Sequence, residues 1–209
     1  MRKLPYGISN FAELPKGNYF FADKTPYLHK LEGLGEKYIF FMRPRRFGKS
    51  LWISILQYYY GTQYKERFKE LFGEYYVGKN PTENANNYLV LRFDFSGIDT
   101  STAENTYQGF LWKVNTGIFD FIATYAQYFE EEEKKAILAA THPERAISAL
   151  FEVIKAKNTL PIYLLIDEYD HFANELLALN LAHFRNIVGR NGWVRKFYET
   201  IKTATGEGI

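Results

Sequence analysis

The chain lacks cysteine, and it lacks any apolar run long enough to cross a membrane. Without cysteine there can be no disulfides and no thiolate metal sites, which fits a reducing cytoplasm. A membrane-spanning helix needs about 18 or more consecutive apolar residues. The first residues, Met1 to Gly7, also have no apolar core of the kind found in signal peptides. We therefore expect a soluble cytoplasmic protein with no membrane partner.

The net charge is also small, because 26 basic and 24 acidic residues give a net charge of only +2. Such a small charge creates no global field that would attract nucleic acid, so the binding of any polyanion has to be local. Hydrophobic residues make up 46% of the 209 positions, which is typical of a folded chain with one sizeable core. The 17 Tyr and 18 Phe are expected mainly to pack this core.

The most informative stretch begins with an apolar run at residues 38–42, which predicts a strand. A loop rich in proline, arginine and glycine follows, and then a helical pattern continues to about Tyr60. Strand, loop and helix in this order are the setting of a phosphate-binding loop. Unpaired N–H groups of the loop and of the first helical turn, together with the helix dipole, attract phosphate oxygens. The predicted nucleotide-binding residues are Arg43, Pro44, Arg45, Arg46, Phe47, Gly48, Lys49, Ser50 and Leu51.

Within this loop, Lys49 is predicted to reach the terminal phosphates and Ser50 to ligate their magnesium ion. Gly48 lets the backbone approach the phosphates closely. The match to G-x-x-x-x-G-K-[ST] is incomplete, because Arg43 stands at the first glycine and Pro44 removes one N–H donor. A Gly-Lys-Ser sequence that merely caps a helix is the alternative interpretation.

A second apolar strand, residues 160–166, ends in the acidic pair Asp167 and Glu168. We predict that Asp167 holds magnesium together with Ser50, and that Glu168 orients and deprotonates the attacking water. Acidic residues also end many strands simply because the strands enter solvated loops. Both motifs are expected at the carboxyl edge of one parallel sheet, which predicts an α/β fold that binds ATP and Mg2+. Lys49 and Glu168 are the predicted catalytic residues.

Other segments complete the expected organisation. Residues 88–97 predict another interior strand, near whose end Asp94 could face the site or bond the next loop. Residues 101–157 are helical in pattern, as are 171–188 and 193–203. His171 lies next to the acidic pair and could be a catalyst, but a lone histidine at a helix start is interpreted as a surface cap. Thr25 or Asp23 could cap a short helix that reaches Leu31.

Three motifs resemble the AAA-ATPase-like family: Tyr19 to Thr25, Arg43 to Leu51, and Leu165 to Asp170. The resemblance implies a three-layer P-loop NTPase sandwich of the additional-strand class, with a mainly parallel sheet and a helical insertion at about 101–157. Arginine at position 43 also matches the family. Bacterial and archaeal members carry a C-terminal PD-(D/E)XK nuclease-like domain, through which relatives would meet nucleic acid.

This resemblance implies that residues 1–209 are the N-terminal part of one ATPase domain. Residues 1–36 would form an arm and helix, and residues 37–209 an incomplete core without the sensor strand and without the nuclease-like domain. The two motif-bearing strands would then have unpaired edges, so we expect hydrolysis by this chain alone to be inefficient. The expected partner is a nucleotide, and a homo-oligomer is left open.

The expected function is Mg-dependent ATP hydrolysis by a switch or motor domain that controls an attached effector. A regulatory module that binds nucleotide without turnover is the first alternative, and a P-loop kinase is the second. For the three loop arginines we expect one phosphate contact and two structural ion pairs, with Asp23 or Asp170 as candidate partners. The Asp23-Lys24-Thr25 segment could lie near the nucleotide base or cap a helix.

Overall fold

The computed structural model describes residues 3–42, 44, 46–189 and 191–209, with only the backbone at position 179. This part of the chain contains eleven α-helices, two short 3-10 helices and two β-strands. The elements fall into two compact units, Met1–Val90 and Leu91–Ile209. The mixture of helices with a small parallel sheet makes the chain α/β, as predicted.

The first unit is built from short helices around an aromatic core. Phe11 stacks on Phe72 with 4.9 Å between ring centroids, and Tyr59 meets Phe72 edge-on at 5.6 Å. All three side chains are fully buried. The helices are α1 (Glu13–Lys16), α2 (Pro26–Gly33), α3 (Lys49–Tyr60), a 3-10 helix (Thr62–Arg67), α4 (Phe68–Phe72) and α5 (Tyr76–Lys79).

Helix α3 forms as its sequence predicts, because its apolar residues recur at three- and four-residue spacing. Trp52, Ile55 and Tyr59 are all buried along this face. The helix ends before Gly61, and the side-chain amide of Asn86 donates to the Gly61 carbonyl at 2.8 Å. This bond ties the end of α3 to the segment that leads into the first strand.

The predicted strand at residues 38–42 is wrong. The segment is irregular, and Tyr38, Phe40 and Met42 are 58%, 71% and 79% exposed. A strand exists only where a neighbouring strand pairs with its backbone, and the sheet within the described residues consists of β1 and β2 alone. An apolar run at these positions therefore does not predict a strand, because it does not show whether a neighbouring strand is present to pair with it.

The second unit contains a parallel sheet formed by β1 (Leu89–Asp94) and β2 (Ile162–Asp167). The first two residues of β1, Leu89 and Val90, still belong to the first unit, so the chain passes from one unit to the other within this strand. Phe95 donates its backbone N–H to the Asp167 carbonyl at 3.1 Å, so the two strands end side by side. The helices are α6 (Ala103–Thr124), a 3-10 helix (Ala126–Tyr128), α7 (Glu131–Leu138), α8 (Pro143–Ala156), α9 (His171–Leu179), α10 (Leu181–Val188) and α11 (Trp193–Gly206).

Aromatic side chains join the sheet to the helices of this unit. Phe95 stacks on Phe110 of α6 at 4.5 Å, and Phe197 of α11 lies 5.2 Å from Phe110 and 5.7 Å from Phe93. These four rings are fully buried. The core therefore fixes the ends of β1 and β2 against α6 and α11.

The helical pattern of residues 101–157 is confirmed as α6, α7 and α8, whereas the single helix predicted at 171–188 is wrong. Asn180 interrupts it with φ −152° and ψ 75°, and its side chain accepts the N–H of His183. Asparagine is a strong N-cap residue, so a new helix begins there. Among the described residues, no helix combines the length and apolar character that a membrane crossing requires.

Candidate functional site

The predicted phosphate loop turns sharply before α3. Phe47 donates its N–H to the Pro44 carbonyl at 3.3 Å, and both Arg46 (φ 68°) and Gly48 (φ 78°) adopt the left-handed conformation. Gly48 tolerates this conformation and leaves open space where a Cβ would lie. The first helical bond of α3 runs from the N–H of Trp52 to the Gly48 carbonyl at 2.9 Å.

The loop exposes the groups that an anion would bind. Within the part of the chain that the structure describes, the N–H groups of Gly48, Lys49 and Ser50 have no hydrogen-bond acceptor. Phe47 is 59% exposed, while Lys49 and Ser50 are half-buried at the first turn of α3. Free N–H donors at the start of a twelve-residue helix, with a lysine beside them, fit the chemistry of a phosphate. Arg43 and Arg45 lie outside the described residues.

The acidic pair lies in the other unit, at the end of β2. Asp167 is only 4% exposed, and its Oδ1 accepts the backbone N–H of Glu168 at 3.0 Å. Its Oδ2 lies 3.5 Å from Nη2 of Arg92 on β1. Glu168 is half-buried and has a φ of 50°, which is an unfavourable conformation for a residue with a side chain.

Arg92 was missed by the sequence analysis, although a signal was present. It is the charged residue within the apolar run Leu89-Val90-Leu91-Arg92-Phe93. A charged side chain within a buried strand normally needs a partner of opposite charge. The acid that ends the other strand was the available partner, so Arg92 could have been paired with Asp167 from the sequence.

The carboxylate of Asp167 has the oxygen chemistry that Mg2+ prefers, and so does the hydroxyl of Ser50. Arg92 already neutralises this carboxylate in the structure. The two predicted magnesium ligands belong to separate units, Ser50 to the first and Asp167 to the second. Their joint site therefore stays a prediction.

Two of the open interpretations are resolved by hydrogen bonds. Asp94 accepts the N–H of Ser96 at 2.9 Å, which confirms that it bonds the loop after its strand. Asp23 accepts the N–H and hydroxyl of Thr25 at 2.8 and 2.6 Å, and also the N–H of Tyr76 at 2.8 Å. Helix α2 has no side-chain cap bond, so the cap predicted for it at Thr25 or Asp23 is wrong. Asp23 instead satisfies the N–H of the first residue of α5.

His171 is the first residue of α9, and its Nδ1 lies 3.6 Å from Oε1 of Glu175 one turn along the helix. The side chain is one-third exposed. His171 therefore lies at a helix start as predicted, but the N-cap position is Asp170, so the predicted cap is wrong. Arg46, the loop arginine that the structure does describe, is exposed, and no ion pair involving it occurs among the described residues.

Comparison with known proteins gives a family but no solved structure, since no solved structure matches this chain. A curated relative, "Uncharacterized protein in vnfD 5'region" from Azotobacter chroococcum mcd 1, is 46% identical over 56 residues. The match covers 26% of this chain and only 11% of the relative's length. The family model AAA-ATPase_like, described as "Predicted AAA-ATPase", matches residues 5–208. Because this match spans nearly the whole sequence, the chain belongs to the AAA-ATPase-like family.

Proposed function

We propose that this chain is an ATP-binding, Mg-dependent ATPase domain that acts as a switch or motor for an attached effector. The observation that carries the proposal is the open start of α3, where three backbone N–H groups without acceptors among the described residues accompany Lys49. These groups attract the negative charge of phosphates. The family match supports ATP as the nucleotide. A P-loop sandwich of the additional-strand class is the fold we propose for the domain.

In this proposal, residues 43–51 hold the nucleotide, with Lys49 on the terminal phosphates. Ser50 and Asp167 would hold Mg2+, which supplies positive charge to offset that of the phosphates. Glu168 would orient and deprotonate the attacking water. The positive φ of Glu168 supports a special role, because strained backbone persists mainly where function or the surrounding structure maintains it.

Replacement of Lys49 by alanine tests the nucleotide site. Titration with a fluorescent ATP analogue should show at least a tenfold loss of affinity in K49A, because a charge-assisted phosphate contact is removed. Lys65 is a matched control, since it is exposed and lies in the 3-10 helix after α3. K65A should bind as the wild type does. Unchanged affinity in K49A would refute the site.

Replacement of Glu168 by glutamine separates the switch enzyme from a module that binds without turnover. A hydrolysing chain should release phosphate from ATP, and E168Q should lose this release but still bind ATP. The ion pair between Arg92 and Asp167 favours the second candidate, because it occupies the predicted metal ligand. If the wild type binds ATP and releases no phosphate, the module without turnover is the correct function.

A further inference from the structure

The ion pair between Arg92 and Asp167 brings a fixed positive charge to a predicted metal ligand. Nη2 of Arg92 lies 3.5 Å from Oδ2 of Asp167. The Asp167 side chain is 4% exposed, and that of Arg92 is 33% exposed. The pair is therefore nearly shielded from water on the carboxylate side, where electrostatic interactions are stronger than at the surface.

The backbone fixes the position of this arginine. Arg92 lies in the middle of β1, and the bond from the N–H of Phe95 to the carbonyl of Asp167 sets the register of the two strands. Side chains alternate between the faces of a strand, so Arg92 points away from the face of Leu91 and Phe93, which are fully buried. Arg92 is thus held beside Asp167 by the sheet and not by a loop.

The carboxylate needs this cation when no metal is bound. A buried carboxylate without a counterion is strongly disfavoured, and the Glu168 N–H satisfies only Oδ1. Arg92 supplies the positive charge on the Oδ2 side. A divalent cation bound to Asp167 would meet the same guanidinium, and two like charges near one oxygen repel each other.

We propose that Arg92 is a positioning residue that competes with the divalent cation for Oδ2 of Asp167. It thereby sets the Mg2+ concentration at which the nucleotide site takes up its metal. This inference rests on the proposed function. The competition stabilises the metal-free site and raises the metal concentration that loading requires.

The test measures metal binding directly. Chain saturated with ADP is titrated with Mn2+ as a substitute for Mg2+, and bound Mn2+ is followed by electron paramagnetic resonance. R92Q removes the competing charge and should bind Mn2+ about tenfold more tightly than the wild type. The control R67Q removes a surface arginine that pairs with Glu70, and it should leave Mn2+ affinity unchanged. Unchanged or weaker Mn2+ binding in R92Q would overturn the proposal.

Nucleotide affinity measured in EDTA shows whether Arg92 competes with the metal for Asp167 or binds a phosphate of the nucleotide directly. R92Q should bind ADP in EDTA as the wild type does, whereas a loss of affinity there would make Arg92 a phosphate contact and overturn the inference. If the wild type binds no nucleotide at all, the proposed function fails and this inference fails with it. If nucleotide binds normally but R92Q leaves the metal dependence unchanged, the inference alone fails.

A measurement on the wild type covers the case in which R92Q does not fold. In chain labelled with nitrogen-15 at arginine, the side-chain signal of Arg92 is assigned by its loss in R92K. The signal should shift when Mg2+ is added to the ADP complex, and it should not shift when ADP is added in EDTA. A signal that Mg2+ leaves unmoved would refute competition at Asp167.

Discussion

Replacement of Gly117 by alanine tests how closely α6 approaches β1. A Cβ atom at this position would lie 2.5 Å from Cδ1 of Phe93 and 2.7 Å from the carbonyl oxygen of Arg92. Contacts between carbon atoms are optimal at about 3.5–4.0 Å, so the added methyl group overlaps both neighbours. The carbonyl belongs to a strand backbone and cannot rotate away, and the Phe93 ring is packed against Phe197.

The expected change in the free energy of unfolding of G117A is the difference between two opposing effects. Overpacking of a well-packed core costs about 1–3 kcal/mol, and the backbone clash places Gly117 at the upper end, about 3 kcal/mol. Alanine in a helix interior is about 1 kcal/mol more favourable than glycine. G117A should therefore lower the free energy of unfolding by about 2 kcal/mol. In a chain of this size that corresponds to a fall in Tm of about 4–8 °C.

Thermal and urea unfolding followed by circular dichroism measure this change. Gly206 provides the control, because it is the last residue of α11 and nothing lies within 4 Å of the site of its Cβ. G206A should stay within about 0.5 kcal/mol of the wild type, as is usual for open surface positions. If G117A were as stable as G206A, α6 could not lie as close to β1 as the distances of 2.5 and 2.7 Å from the added Cβ imply.

Three further changes test local features. Asp23→Ala removes the acceptor of the Tyr76 N–H and two other bonds, and it should lower the free energy of unfolding in urea by about 2 kcal/mol. Asn180→Ala removes the N-cap of α10 and should speed hydrogen exchange there, at a cost of about 1 kcal/mol. Burial, and then the charge of Tyr169, raises the pKa of Tyr198 to about 12. The folded chain then keeps this proton up to a higher pH than the unfolded chain, so stability falls as pH rises from about 10 to 12. Because Tyr198 is 36% exposed, the change in stability is small and an ultraviolet titration against Y198F is the better assay.

The sequence predicted the helices well because their signals are local. The apolar faces of α3 and α8 repeat at helical spacing, and α8 begins at Pro143, whose fixed φ suits the first position of a helix. The break at Asn180 was missed because neither proline nor glycine marks it. An asparagine inside an apolar helical pattern is compatible with both one helix and two, and the hydrogen bond that decides between them appears only in the structure.

Strands were predicted less well because pairing is not a local property. The run at 88–97 contains β1, and the run at 160–166 covers all of β2 except its last residue, whereas the equally apolar run at 38–42 forms no strand. Composition cannot separate these cases, since strand formation depends on a neighbour elsewhere in the chain. The same limit applies to the site. The sequence predicts Lys49 and Asp167 as site residues, but the cation beside Asp167 depends on the register of two strands.

The two halves of the proposed site differ in whether a protein group already occupies the position of the ligand. The start of α3 presents N–H groups without acceptors among the described residues, so a phosphate that binds there displaces none of the described groups. Asp167 already has a counterion in Arg92, so a metal must compete for it. A ligand binds more weakly when it has to displace an existing interaction. Nucleotide binding should therefore tolerate removal of Mg2+ far better than any hydrolysis does, because in the proposed site the N–H groups and Lys49 would bind phosphate directly, whereas Ser50 and Asp167 would act through the metal.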